Sequence, residues 1–200
     1  MLPLIYTHPA VAVLFLAICL VWLVPEMLGM RRQMAKVSRK ADLIQDRGSL
    51  AIMLGLQWTG IALNFLFAWR LPAAAIHWQR TVLFFLGLIA ILMGVALRWY
   101  AIRVLGEYFT RDVAVSSDQL VVQNGPYRLI RHPAYTGTFL TMFGVGLVMT
   151  NWASLITLLL CVFLGHVYRV SIEEIALIRT IGQPYIEYMR RTKRFIPWVV

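Results

Sequence analysis

Acidic side chains are scarce in this chain of 200 residues: nine Asp and Glu stand against nineteen Lys and Arg, and charged residues make up only 14%. A soluble domain is about half apolar with roughly a quarter of its residues charged. Here 60% are hydrophobic and the mean hydropathy is +0.71. That shortage excludes an ordinary soluble domain and points to a polytopic membrane protein. Cysteine is nearly absent as well. Cys19 and Cys161 lie in separate apolar stretches, so they make neither a metal-ligand set nor a disulfide framework and read as small buried hydrophobes. No Lys or Arg precedes the first apolar run, which argues against a cleavable signal peptide. Internal repeats and low-complexity segments are missing too. A net charge of +10 would suit nucleic acid, but the basic residues fall in short loops between apolar runs, which suits lipid headgroups and excludes a nucleic-acid partner.

The apolar runs set the expected architecture. A first span covers about Pro9 to Gly29, with Pro25 and Glu26 near its end as an interfacial exit. A second covers Gly48 to Trp69 and a third Thr81 to Leu97. Trp69 and Trp78 bracket the connector from Arg70 to Arg80, as interfacial aromatics do. Ala134 to Thr150 and Ala153 to Tyr168 are short arms joined at Asn151–Trp152. That tight join predicts a helical hairpin, and arms so near the lower length limit predict one partly packed inside the protein. The expected fold is therefore an all-α integral membrane protein with about five transmembrane helices, including this short C-terminal hairpin. A cytoplasmic loop and an amphipathic C-terminal helix complete it. The chain reads as a single domain over 1–200, with three spans in 1–100.

Basic residues predict the orientation. Six lie in 31–47, five in 98–132 and six in 169–194, against two in the 70–80 connector. Five crossings put the first three groups on one side, which the positive-inside rule makes cytoplasmic, with the N-terminus outside. No charged residue is expected mid-membrane to mark a transport path.

The most informative stretch is GPYRLIRHPAYTG, from Gly125 to Gly137. Asn124–Gly125 is a turn signal, and a short extended piece from Leu120 to Val122 is expected before it. Pro133 starts the next helix, where its missing N–H costs nothing. Arg128, Arg131 and His132 are thereby held between Tyr127 and Tyr135 at a membrane boundary. Lipid anchoring accounts for the arginines, but less well for His132–Pro133 and the flanking tyrosines. A second cluster lies past the hairpin. Arg169 and Glu173 are four apart and share a helix face, whereas Glu174 points about a quarter turn away and reads as solvated. Taken alone, the Arg169/Glu173 spacing is that of a surface ion pair. Tyr185 and Tyr188 share a face as packing or interfacial anchors. His166, on the apolar Ala153–Tyr168 segment, reads as satisfied within the bundle, yet an ionisable group there stays a functional candidate.

The order RHPxYxG, short hairpin, R-x3-E, then GxxYxxY and a terminal basic-Ile-Pro, over Val121 to Pro197, resembles the isoprenylcysteine carboxyl methyltransferase family of small integral-membrane methyltransferases. Phospholipid N-methyltransferases share much of the pattern, and sterol reductases resemble its C-terminal half more distantly. The resemblance implies a protein-S-isoprenylcysteine O-methyltransferase-like enzyme using S-adenosyl-L-methionine, with residues 101–200 as its cofactor-binding and catalytic region. It implies cofactor contacts from Tyr127, His132, Pro133, Ala134 and Tyr135, an adenine-side lining by Leu120, Val121 and Val122, and hydrogen bonds accepted by Glu173. Arg169 matches the arginine facing the methyl acceptor, which is lipophilic and enters from the bilayer. Tyrosine faces and a carboxylate suit a sulfonium. The cofactor's own carboxylate suits His132, Arg131 or free N–H groups at a helix start. No metal is implied. The size resembles the prokaryotic members, so a prokaryotic inner membrane is expected, and the acceptor stays open among carboxylate, thiol and amine. A sterol-reductase-like NADPH enzyme and a non-enzymatic scaffold or transport-related protein are the alternatives.

Overall fold

A computed structural model describes residues 2–40, 46–110 and 120–197; side chains of 28–40 lie outside that description. Asp42 and Asp118 also lie outside it. After a single turn, α1 (Leu4–Thr7), come α2 (Pro9–Lys40), α3 (Ser49–Arg70), α4 (Arg80–Leu105), α5 (Pro133–Val148), α6 (Trp152–Ile181) and α7 (Gln183–Arg191). Among the described residues there is no strand, only isolated bridges. Among the described residues four stretches are long and apolar enough to cross a membrane: Pro9–Met27, Ser49–Arg70, Arg80–Tyr108 and Trp152–Ile181. The protein is an all-α integral membrane protein.

The fifth expected segment is α5, whose 16 residues span only about 24 Å at ~1.5 Å per residue. It is the interior helix, burying Gly137, Thr141, Met142, Gly144, Val145 and Val148. Glycines seven residues apart explain how closely it packs on α4. A Cβ on Gly94 would stand 2.5 Å from Thr141 N, and one on Gly144 would stand 2.4 Å from Gly87 O. Helices in lipid associate through such small-residue contacts. Phe84, Leu88, Ile91, Met142, Val148 and Leu158 fill the core between α4, α5 and α6. Leu20, Phe85, Leu92, Leu160 and Phe163 remain exposed, as lipid-facing side chains should.

The two ends of the bundle differ. At one end the 70–80 connector meets the hairpin turn: Ile76 N donates to Thr150 O at 2.8 Å and Asn151 Nδ2 to Leu71 O at 2.9 Å. Asn151 Oδ1 also caps α6 by accepting from Ser154 N at 3.1 Å. Arg80 donates to Leu2 O, which brings the N-terminus to the same end. Residues 46–49, 106–110, 120–132 and 169–197 gather at the other.

Several expectations are corrected. The first apolar span ends at Met27, next to Pro25 and Glu26 as expected, but α2 itself runs on through Pro25 to Lys40. Arg98 is not the start of a loop, because α4 extends to Leu105. Arg98 Nη2 stands 2.6 Å from Glu26 Oε1, and its Nη1 also donates to Thr138 Oγ1 and Ala134 O. Arg98 thus finds its partners on neighbouring helices while α4 continues past it. The basic tail is no separate unit at its start, since α6 continues from the apolar arm to Ile181 and breaks at Gly182, with φ +73°. Cys19 and Cys161 are half-buried rather than buried.

Candidate functional site

The site is built where α5 begins. Gly125, at φ +56°, turns the chain into a short 3-10 segment, Gly125–Arg128. This carries Tyr127 inward, where its hydroxyl approaches Ala101 O at 3.4 Å. Pro133 opens α5 as expected, and the residues before it pair with the tail. Arg131 N donates to Lys193 O at 2.7 Å, His132 N to Arg194 O at 3.1 Å, and Thr136 Oγ1 to Phe195 O at 2.8 Å. Tyr188 Oη donates to Tyr127 O at 2.8 Å, so α7 is fastened to the same turn.

Glu174 is the centre of this fastening. It is 3% exposed, not solvated as its place on the helix predicted. Its Oε1 accepts from Arg131 Nε at 2.9 Å and lies 3.3 Å from His132 Nε2; its Oε2 accepts from Arg194 Nη2 at 2.7 Å. The quarter turn that separates it from Glu173 points it at the 130s and the tail instead of at water. Arg131 also donates to Met189 O and Thr192 O. Arg131 and His132 therefore face the expected cofactor cleft while their polar atoms hold Glu174.

Glu173 has a different environment. Its Oε2 accepts from Tyr135 Oη at 2.9 Å, with His132 Nδ1 at 4.0 Å, and its side chain is 30% exposed. Arg169 is 2% exposed. Its Nη1 donates to Ser49 Oγ at 2.7 Å and to Asp46 Oδ1, and its Nε reaches Tyr135 Oη at 3.4 Å.

Two cavities meet at these residues. The first is a cleft open to the outside. Leu120, Val121, Val122, Tyr127, Arg131, His132, Ala134, Tyr135, Arg169 and Glu173 all line it; Pro133 does not. Leu105, Leu177, Ile181, Tyr185 and Tyr188 complete its walls. Tyr185 and Tyr188 are thus part of the cleft, beyond the packing role their spacing indicated. Burial pushes the Tyr127 and Tyr185 hydroxyls up and that of Tyr188 to about 12, so all three keep their protons at neutral pH. The second cavity lies among the membrane helices. Trp22, Leu54, Trp58, Trp99 and Ile102 make it apolar, while Glu26, Gln57, Arg98, His166 and Arg169 supply polar groups. Phe109, Thr110, Tyr135 and Arg169 line both cavities. They form the shared wall.

Sequence reading missed Asp46, Ser49 and the Glu26–Arg98 pair. Asp46 and Ser49 had one visible signal, an Asp-x-x-Ser at a helix start, since Ser49 Oγ donates to Asp46 Oδ1 at 2.9 Å and Leu50 N to Asp46 Oδ2 at 3.3 Å. Glu26 and Arg98 had none, being 72 residues apart. Among the described residues no group of three or more His, Cys, Asp or Glu could hold a metal ion.

The same region is the one that known proteins share. A family described as the isoprenylcysteine carboxyl methyltransferase (ICMT) family matches residues 85–179. Protein-S-isoprenylcysteine O-methyltransferase of Tribolium castaneum is 32% identical over 126 residues, covering 62% of this chain and 43% of that protein. Protein-S-isoprenylcysteine O-methyltransferase B of Arabidopsis thaliana is 27% identical over 168 residues, covering 82% of this chain and 81% of its own. A solved structure of the eukaryotic intramembrane Ras methyltransferase ICMT superposes with a TM-score of 0.57 at 29% identity, over 78% of this chain and 55% of that one. This chain thus spans less than half of the insect relative, and the shared part holds α4, the start of α5, the hairpin, Arg169 and Glu173. Over residues 85–179 the chain is thus similar to the isoprenylcysteine carboxyl methyltransferase family, and it shares the fold of that family's solved member.

Proposed function

We propose that the protein is an integral membrane methyltransferase that uses S-adenosyl-L-methionine and a lipophilic acceptor, the carboxylate of an isoprenylcysteine-like molecule. The observation that carries this reading is the wall of Phe109, Thr110, Tyr135 and Arg169 shared by a polar cleft and an intramembrane cavity. Transfer between a water-soluble donor and a lipid-tailed acceptor needs two chambers that meet at the reacting atoms. The relatives' names agree with it, since two of them are named protein-S-isoprenylcysteine O-methyltransferases.

The cleft's side chains fit the cofactor. Leu105, Val121, Val122 and Leu177 offer an apolar slot for adenine. Glu173, to which the Tyr135 hydroxyl donates at 2.9 Å, offers a carboxylate to cationic or N–H groups, and Tyr127 and Tyr135 offer ring faces to a sulfonium. Held there by Tyr127, Tyr135 and Glu173, S-adenosylmethionine would supply an electrophilic methyl group, and a carboxylate acceptor would need no proton removed. The chain's residues then have two tasks. Arg169, fixed beforehand by Ser49 and Asp46, orients the acceptor carboxylate. The apolar lining of the inner cavity strips that carboxylate of water, so positioning and desolvation carry the rate.

The region 101–200 is the catalytic part of a single domain over 1–200. The active site faces the cytoplasm, by the seventeen-to-two distribution of basic residues. Titrating S-adenosylmethionine and NADPH into the detergent-solubilised protein tests the activity. Heat from S-adenosylmethionine alone is expected; heat from NADPH alone would replace this reading with a reductase, and heat from neither with a scaffold. Reporter fusions after Lys40 and Pro72 test the sidedness, and a cytoplasmic signal at Pro72 would overturn it.

A further inference from the structure

His166 is a buried titratable group that the transfer geometry leaves unused. It is 1% exposed and sits on α6 three residues before Arg169, on the same face. Its Nδ1 lies 2.8 Å from Val162 O. A carbonyl can only accept, so Nδ1 carries the ring hydrogen and Nε2 of the neutral ring carries a lone pair. Tyr135 meets the imidazole edge-on, with centroids 5.2 Å apart at 82°, and Phe139 tilts against it at 5.1 Å. These rings hold its orientation. His166 lines the inner cavity and not the cleft. No described residue donates to Nε2. A lone pair in a largely apolar chamber costs free energy while it lacks a donor, and the occupant of the chamber is what remains to supply one.

Resting on the acceptor reading above, we infer that His166 Nε2 accepts a hydrogen bond from an N–H of the acceptor close to the carboxylate that Arg169 orients. Arg169 reads the carboxylate; His166, one turn deeper, reads the group beside it. His166 is then a specificity-determining residue whose effect depends on whether the acceptor has the donor.

Two acceptors differing in one group test this: N-acetyl-S-farnesylcysteine, and S-farnesyl-3-mercaptopropionic acid, which lacks the acetamido N–H. The wild-type protein should prefer the first by about tenfold in kcat/KM, the effect of one hydrogen bond whose loss strands a buried acceptor. His166→Phe keeps a ring against Tyr135 and Phe139 but loses the acceptor atom. It should bring the ratio close to one by slowing only the acetamido substrate. His166→Gln can place its amide oxygen near Nε2 and should recover part of the preference. A purely structural role would slow both acceptors in parallel and leave the ratio unchanged. Equal wild-type rates on the two acceptors overturn the inference without any variant, as does an unchanged ratio in His166→Phe. If S-adenosylmethionine binds but neither acceptor is methylated, the carboxylate-acceptor reading falls and this inference with it.

Discussion

The knot at Glu174 and the cleft wall at Glu173 begin one residue apart on α6, yet the first closes on itself and the second stays open. Glu174 is surrounded by Arg131, His132 and Arg194, and it ties the start of α5 to the C-terminal tail. Glu173 accepts one hydroxyl hydrogen bond and keeps part of its surface toward the cleft. A helix turns roughly 100° per residue, so adjacent carboxylates face different surroundings, and the surroundings divide their roles. A buried carboxylate with complete donors is architecture. One whose donors are incomplete on a cavity wall is a place for a ligand.

The largest effect should come from opening the knot. Glu174→Ala leaves Arg131 buried without its counter-charge and His132 without its ring partner, and breaking a buried pair this way costs about 3–5 kcal/mol. A lower melting midpoint in detergent is the expected outcome. If Glu174→Ala melts like the wild type and loses cofactor affinity instead, the two glutamates have exchanged roles.

Glu173→Ala should do the reverse, keeping the melting midpoint while weakening S-adenosylmethionine binding by about tenfold or more, from loss of a charge-assisted hydrogen bond of ~1.5–3 kcal/mol. Unchanged calorimetric affinity in the folded variant would reject the assignment.

Arg169→Lys sharpens the contrast between cofactor and acceptor. Lysine keeps the charge but not the planar fork that Ser49 and Asp46 hold, so methyl transfer should fall by roughly an order of magnitude with cofactor affinity nearly unchanged. Wild-type transfer with collapsed cofactor binding would put Arg169 on the donor side.

The smallest effect should come from Tyr188→Phe. It removes the 2.8 Å hydrogen bond to Tyr127 O, worth about 1 kcal/mol, and should lower stability slightly while leaving Glu173-dependent binding intact. A cofactor affinity that falls as far as in Glu173→Ala would show that Tyr188 belongs to the ligand and not to the fastening.

What could be read beforehand was local. Pro133 as a helix start, the turn at Gly125, the tight join at Asn151 and the shared face of Arg169 and Glu173 all follow from spacings of four residues or fewer. The nine expected cofactor residues that line the cleft come from two such local runs, 120–122 and 127–135, and from Glu173. Pro133 fell outside because the proline that opens a helix serves its backbone. The misreadings share a different origin. Glu174 meets Arg131 across 43 residues, Glu26 meets Arg98 across 72, and Asp46 meets Arg169 across 123. No periodicity reports on contacts between elements so far apart.

Composition and pattern by themselves determined that this chain lives in a membrane, roughly where its helices run, and which loops share a side, because lipid penalises every exposed polar group and charge according to its place in the sequence. Tertiary structure alone decided which charges became structure and which became site. It did so by packing α5 against α4 closely enough, through Gly94 and Gly144, to bring Tyr135 between Glu173 and Arg169 and to leave a cavity on either side of it.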